Sequence, residues 1–252
     1  MQFKYLIPNS FTTINLLLGV LSIFNILNIQ QDDITGIIKS LWIIVIAGFF
    51  DGFDGKLARM TNTQSKFGVE YDSLADLVTF VLAPAFIVYK IIPQNNLFFM
   101  STVLIYIVAG ALRLARFNVV QGSEKKKGKF LGLPTPGASG TIIGYMLFYI
   151  YWKDCNINYS FFITTLSVIT MVSGFLMISN IYYDNVYTMF KVESRLFKIG
   201  KFSIPFIVFL GLLIFLLLTN RLYYFFFPLS VYYHLRAFYN MIKEKERANQ
   251  YV

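Results

Sequence analysis

The fold class this sequence predicts is all-α: a polytopic membrane bundle of about eight transmembrane helices. Three observations carry that expectation. Of 252 residues, 56% are hydrophobic and 18% aromatic, and the mean hydropathy is +0.60, more apolar material than a soluble core of this length needs. The apolar residues fall in runs long enough to cross a bilayer, because ~30 Å of hydrocarbon at ~1.5 Å per residue takes ~20 residues. Charged residues are only 14% of the chain yet leave a net charge of +9, the imbalance expected of basic cytoplasmic loops.

The qualifying runs are Phe11–Asn28, Ile34–Leu57, Val69–Tyr89, Leu97–Val120, Pro136–Trp152, Tyr159–Asn180, Phe202–Leu218 and Leu222–Met241. No gap between them is long enough for a separate soluble domain, so 1–252 is expected to form one integral-membrane domain. Lys4 ahead of the first run could mimic a secretory signal. The absence of an A-x-A-like cleavage site and the many spans that follow mark that run as a retained helix. Cys155 is the single cysteine, which excludes an intrachain disulfide and a multi-cysteine zinc site.

Orientation follows from the cations. With a cytoplasmic N-terminus, eight crossings return the C-terminus to the same side, and that side then holds 18 of the 22 Lys and Arg residues. The chain is therefore expected to be a multi-pass protein of the cell (inner) membrane with both termini cytoplasmic. The basic loop Gly122–Gly132 carries Lys125, Lys126, Lys127 and Lys129. It reads either as a solvated anchor or as a steering patch for anionic lipid, each cation being worth ~1 kcal/mol near such a surface. His234, beside Arg236, reads as an interfacial polar residue. Pro134 and Pro136 should set the start of the fifth run, with Gly137 and Gly140 allowing tight packing there.

The chemistry is concentrated between runs two and three, in FFDGFDGKLARMTNTQSKFGVEYDSLADLVTF. Asp51 and Asp54 are three residues apart, and Asp72 and Asp76 four apart, so each pair projects from one face of its helix. A short turn joins the two helices and makes them antiparallel neighbours at the cytoplasmic edge. Four carboxylates there would repel one another and suffer desolvation unless cations sat among them. All-oxygen ligation selects a hard ion, Mg²⁺ or Mn²⁺, and two such ions would balance the charge and clamp a phosphoryl group. Gly55, Ala58 and Gly68 remove bulk beside the acids, and Arg59 offers a fork-shaped cation for phosphate oxygens. The competing account, an acid–base network that only locks the helices together, leaves four acids facing one nearby arginine and two exposed-looking lysines.

Asp51, Asp54, Gly55, Ala58, Arg59, Gly68, Asp72 and Asp76 match D-x2-D-G-x2-A-R-x8-G-x3-D-x3-D at every fixed position and spacing. The chain thereby resembles the CDP-alcohol phosphotransferase family. The opening IPNSFTTINLLLGV, RLARFNV at Arg113–Val119 and KFLGLPTPGASG at Lys129–Gly140 look like that family's phosphatidylserine synthase branch. In the third of these the branch more often has alanine-rich residues after the second proline. Thr135 and Gly137 are departures that read either as ordinary drift or as a change in the pocket.

The resemblance implies a homodimer with six core helices per subunit, here about 10–180, with two additional helices at about 201–241. It implies a polar cavity open to the cytoplasm and two metals held by Asp51, Asp54, Asp72 and Asp76. Gly55, Ala58, Arg59 and Gly68 inherit contacts to the CDP portion, and Asn9 and Thr13 on the first helix are candidates for the same ligand. The implied reaction carries the phosphatidyl group of CDP-diacylglycerol to the hydroxyl of L-serine, with no nucleic-acid partner. Asp76, one turn deeper than Asp72, is the candidate catalytic base. Arg113, Arg116, Asn118 and Lys129 are the candidate serine-binding residues, because serine brings its own carboxylate and ammonium.

Two alternatives remain at this level. Glycerol phosphate or an inositol phosphate could be the acceptor for the same chemistry. A metal-ion transporter could use intramembrane aspartates, although these acids cluster at one membrane edge and no inverted repeat is visible. A non-catalytic scaffold would leave the aspartate set without a purpose.

Overall fold

The computed structural model describes residues 6–30, 33–60, 65–120, 129–151, 158–184, 198–199, 202–203 and 223–249. The chain order is α1 (Leu6–Asn28), α2 (Ile34–Met60), α3 (Lys66–Asp76), a π-helical stretch (Leu77–Leu82) and α4 (Ala83–Ile91). There follow α5 (Leu97–Val120), β1 (Lys129–Leu131), α6 (Thr135–Tyr151), α7 (Tyr159–Ile178), β2 (Tyr182–Asp184), β3 (Lys198–Ile199), β4 (Phe202–Ser203) and α8 (Tyr223–Asn249). The expected run Phe202–Leu218 lies, beyond Ser203, outside the described residues.

Five helical segments among the described residues are long and apolar enough to cross a membrane: Asn9–Asn28, Ile34–Phe53, Lys66–Ile91, Leu97–Val119 and Tyr159–Ile178. On α1 and α7 large apolar residues are exposed in stripes at helical spacing. On α1 the stripe is Ile14, Leu17, Leu21, Phe24 and Leu27; on α7 it is Phe161, Val168, Val172, Phe175 and Ile178. Stripes of this length facing outward need a hydrocarbon solvent. Polar residues on facing helices pair with one another. Between α1 and α2, Ser22 Oγ donates to Ser40 O at 3.0 Å, while Asn25 Nδ2 donates to Gly36 O at 2.9 Å and Ser40 Oγ at 2.8 Å. Small and hydroxylated residues are what hold helices together where apolar burial gives no net drive. The chain is a polytopic helical membrane protein.

The third span is one helical rod that changes pitch, and Pro84 gives the reason. Proline has no N–H, so the carbonyl four residues earlier, Phe80 O, loses its helical donor, and the proline ring crowds that turn. The backbone widens into π-helix at Leu77–Leu82, and Tyr106 OH of α5 donates to Phe80 O at 2.8 Å. Thr79 Oγ1 donates to Asn15 O of α1 at 3.0 Å. Glycines let neighbouring helices close on this stretch: a methyl on Gly19 would stand 2.9 Å from Thr79 Cα, and one on Gly110 would stand 2.6 Å from Val81 Cγ1.

The helix pair that carries the acids shares a third helix as its packing partner. α1 packs along α2 and also against α3, the π stretch and α4, while α2 and α3 touch each other only slightly among the described residues. Around α6, Gly144 rather than Gly140 makes the close approach. A methyl on Gly144 would lie 3.0 Å from the backbone of Phe226 and Phe227 on α8, whereas nothing among the described residues comes within 4 Å of one on Gly140. Gly137 faces Leu133, Pro134 and Tyr233 at 3.2–3.4 Å.

Candidate active site

Asp51 stands on α2 where that helix emerges, and Asp72 and Asp76 stand on α3. Ser65 starts α3: its Oγ accepts from Gly68 N at 3.0 Å, satisfying one of the amides that a helix start leaves open. That cap fixes the register that turns Asp72 and Asp76 inward. Asp51, Asp72 and Asp76 each offer a carboxylate oxygen, and these three atoms lie within 4.8 Å of one another. Asp54, Gly55, Ala58 and Arg59 lie on the last turns of α2, and their side chains are outside the described residues.

Asp76 is 9% exposed. Its Oδ2 accepts from Thr135 Oγ1 of α6 at 3.2 Å, while its Oδ1 has no hydrogen-bond partner among the described residues. Arg113, 7% exposed on α5, donates from Nη1 to Thr135 Oγ1 at 3.1 Å and lies over the Phe117 ring at 5.3 Å. Asn15, fully buried on α1, donates from Nδ2 to Asp51 Oδ1 at 3.4 Å, and its own Oδ1 is likewise without a partner among the described residues. An all-oxygen cluster of carboxylates, in which Asp76 keeps a buried oxygen without a hydrogen-bond partner among the described residues, fits a hard divalent cation. The residues present are therefore suited to the metal that the sequence implies.

The other expected site residues divide. Asn9, Thr13 and Gly68 are together: Thr13 Oγ1 donates to Asn9 O at 2.7 Å and shares a hydrogen bond with Tyr71 OH at 2.9 Å, and a methyl on Gly68 would lie 3.6 Å from Asn9 Oδ1. Asn118 finds the partners its amide requires, accepting from Ser73 Oγ at 3.0 Å and donating to Glu70 Oε2 at 2.8 Å, which ties α5 to α3 beside Asp72. Arg116 departs from the serine-binding expectation. Its Nη1 donates to Ile178 O at 2.9 Å and its Nη2 to Leu131 O, Met177 O and Ser179 O at 3.1–3.2 Å. A guanidinium so engaged caps the end of α7 and fastens β1 to it. Lys129 belongs to β1, opposite Asp184 of β2, and its side chain lies outside the described residues. His234 bridges Thr141 Oγ1 at 3.1 Å and Tyr183 OH at 3.3 Å.

Sequence reasoning missed Asn15 as a site residue, and it marked Thr135 only as a departure near the pocket without placing it beside Asp76 and Arg113. A signal was present for both: a polar residue in the middle of an apolar run, and a hydroxyl between two prolines at a helix start.

The profile of the CDP-alcohol phosphatidyltransferase family matches residues 5–179. The chain belongs to that family. Membership accounts for the acidic trio, since the signature aspartates lie inside the matched region. Among curated relatives, the CDP-diacylglycerol–serine O-phosphatidyltransferase of Helicobacter pylori is 36% identical over 184 residues, covering 72% of this chain and 73% of the relative. The protein of that name from Methanocaldococcus jannaschii is 34% identical over 172 residues, covering 68% and 70%. The one from Saccharomyces cerevisiae is 34% identical over 141 residues, covering 52% and 51%.

Proposed function

We propose that this chain transfers the phosphatidyl group from CDP-diacylglycerol to the hydroxyl of L-serine, giving phosphatidylserine and CMP. The observation that carries the reading is the convergence of Asp51, Asp72 and Asp76 within 4.8 Å, in a family whose curated relatives with this degree of similarity are named for that reaction.

Asp51, Asp54, Asp72 and Asp76 would hold two divalent ions, Mg²⁺ or Mn²⁺. Bound there, such ions would neutralise charge on the diphosphate oxygens of the donor. Asp76 takes the proton of the serine hydroxyl as its oxygen attacks the phosphorus nearer the diacylglycerol. The bond from that phosphorus to the CMP oxygen breaks, and the proton carried by Asp76 is available to the medium. Proton abstraction by a positioned carboxylate contributes ~10²–10⁴-fold. Gly55, Ala58, Arg59, Gly68, Asn9 and Thr13 receive the CDP portion. Arg113, Asn118 and Lys129 supply the cationic and amide groups for serine, with Arg116 bracing the wall behind them.

The same reading places the site and both termini on the cytoplasmic side of the cell membrane. It makes 1–252 one domain of about eight spans, six of them the catalytic core, paired as a homodimer in the bilayer. Purified protein given CDP-diacylglycerol with L-serine, glycerol 3-phosphate or an inositol phosphate tests it through CMP release, with Asp76→Asn as control. Serine-dependent release absent from the control is the expected result. Strong release with another acceptor and none with serine would overturn the choice of substrate.

A further inference from the structure

Thr135 is fully buried between a cation and an acid. Its Oγ1 accepts from Arg113 Nη1 at 3.1 Å and donates to Asp76 Oδ2 at 3.2 Å. The direction of this relay is forced by inventory: a guanidinium has only donors, and a threonine hydroxyl has one proton, so that proton goes to Asp76. Three elements meet in these two bonds, α3 through Asp76, α5 through Arg113 and α6 through Thr135.

The backbone that presents Thr135 is unusually constrained. Pro134 and Pro136 flank it; the second restricts its φ and ψ, and the first has φ fixed by its own ring. Before them Gly132 turns the chain at φ 77°, a conformation natural only to glycine. Gly132 N then donates to Ile181 O at 2.8 Å, Leu133 N to Leu176 O at 2.9 Å, and Ala138 N to Pro134 O at 3.0 Å. The segment is tied to the end of α7, so the hydroxyl is delivered to Asp76 from a fixed frame.

We propose that Thr135 is a positioning residue for the reaction. By holding Oδ2 of Asp76 through a hydrogen bond polarised by Arg113, it sets the plane of the carboxylate. Oδ1, which has no hydrogen-bond partner among the described residues, is thereby left available for a cation held by the acidic cluster. The inference rests on the proposed role of Asp76 and adds to it the group that orients that side chain. Partners of this kind, one bond removed from a metal-binding carboxylate, change metal affinity or activity by ~10–100-fold when removed.

The test compares Thr135→Val, which keeps the shape and removes the hydroxyl, with Thr135→Ser, which keeps the hydroxyl, using purified full-length protein. Three readouts are taken: kcat and KM for CDP-diacylglycerol, Mn²⁺ affinity of the substrate-free protein by electron paramagnetic resonance, and thermal unfolding. The expected result for Thr135→Val is a kcat lowered by ~10–100-fold with KM nearly unchanged, and Mn²⁺ binding weakened over the same range. Thr135→Ser should recover most of both. The proposal is overturned if Thr135→Val keeps wild-type kcat and Mn²⁺ affinity, or if Thr135→Ser loses as much as Thr135→Val. Asp76→Asn in the same assays separates the two levels of the account. An inactive Asp76→Asn beside a fully active Thr135→Val sinks this inference alone, whereas a fully active Asp76→Asn sinks the role of Asp76 and this inference with it.

Discussion

Asn15 Nδ2 reaches Asp51 Oδ1 across 3.4 Å, joining the middle of α1 to the acid that α2 brings to the site. The contact brings α1 to the acids themselves, where the sequence alone offers only Asn9 and Thr13 of this helix, as contacts to the CDP portion. Replacing Asn15 by Ala removes the donor and leaves Asp51 less firmly oriented. Loss of ~10–100-fold in serine-dependent CMP release is expected, with the fold retained. Initial rates and a melting curve on one preparation check both parts.

Tyr106 supplies the donor that Pro84 takes away. With Tyr106→Phe, Phe80 O would remain in a buried, apolar turn without its hydrogen bond, a defect worth about 1–3 kcal/mol. The π stretch follows Asp76 directly, so the variant should melt at lower temperature and also turn over more slowly. Thermal unfolding in detergent beside a rate measurement would show the two losses together.

Arg116 offers a clean distinction between anchoring and recognition. Its four carbonyl acceptors make it a brace for α7 and β1. Arg116→Ala is therefore expected to cost about 1.5–3 kcal/mol of stability, the worth of hydrogen bonds to a charged group. Lysine, a single compact cation, should restore only part of it. KM for serine is expected to stay near wild type; a large rise in KM with unchanged melting would assign the side chain to the substrate.

Two glycines should respond oppositely to the same change. Gly19→Ala drives a methyl to 2.9 Å from Thr79 Cα, a backbone atom that cannot step aside, and overpacking of this sort costs about 1–3 kcal/mol. Gly140→Ala meets nothing within 4 Å among the described residues and should gain about 0.5–1 kcal/mol of helix propensity. Melting temperatures of the two variants, measured in one detergent, decide the point.

Much of this architecture was legible in the residue order, for identifiable reasons. Bilayer-crossing helices announce themselves by length and hydropathy because lipid leaves the chain few alternatives. The acidic site was legible in part because an i, i+4 spacing maps directly onto a helix face, and the short connection to α2 lets Asp51 meet Asp72 and Asp76. What stayed hidden is what depends on helices distant in sequence. Arg113 and Arg116 share a spacing yet diverge in use, because α6 lies beside one and the end of α7 beside the other. The π stretch had a visible cause in Pro84, but its repair by Tyr106 comes from another helix. The tight contact at Gly144 instead of Gly140 depends on where α8 crosses α6, which α6 alone does not encode.

The measurement that bears most directly on the central claim is serine-dependent CMP release from CDP-diacylglycerol by protein stripped with a chelator and then titrated with Mg²⁺ or Mn²⁺. Carboxylates gathered to hold hard cations should be inactive when stripped and recover on adding either ion, while Asp51→Asn, Asp72→Asn and Asp76→Asn should not recover. Full activity in the stripped wild-type protein would contradict the account.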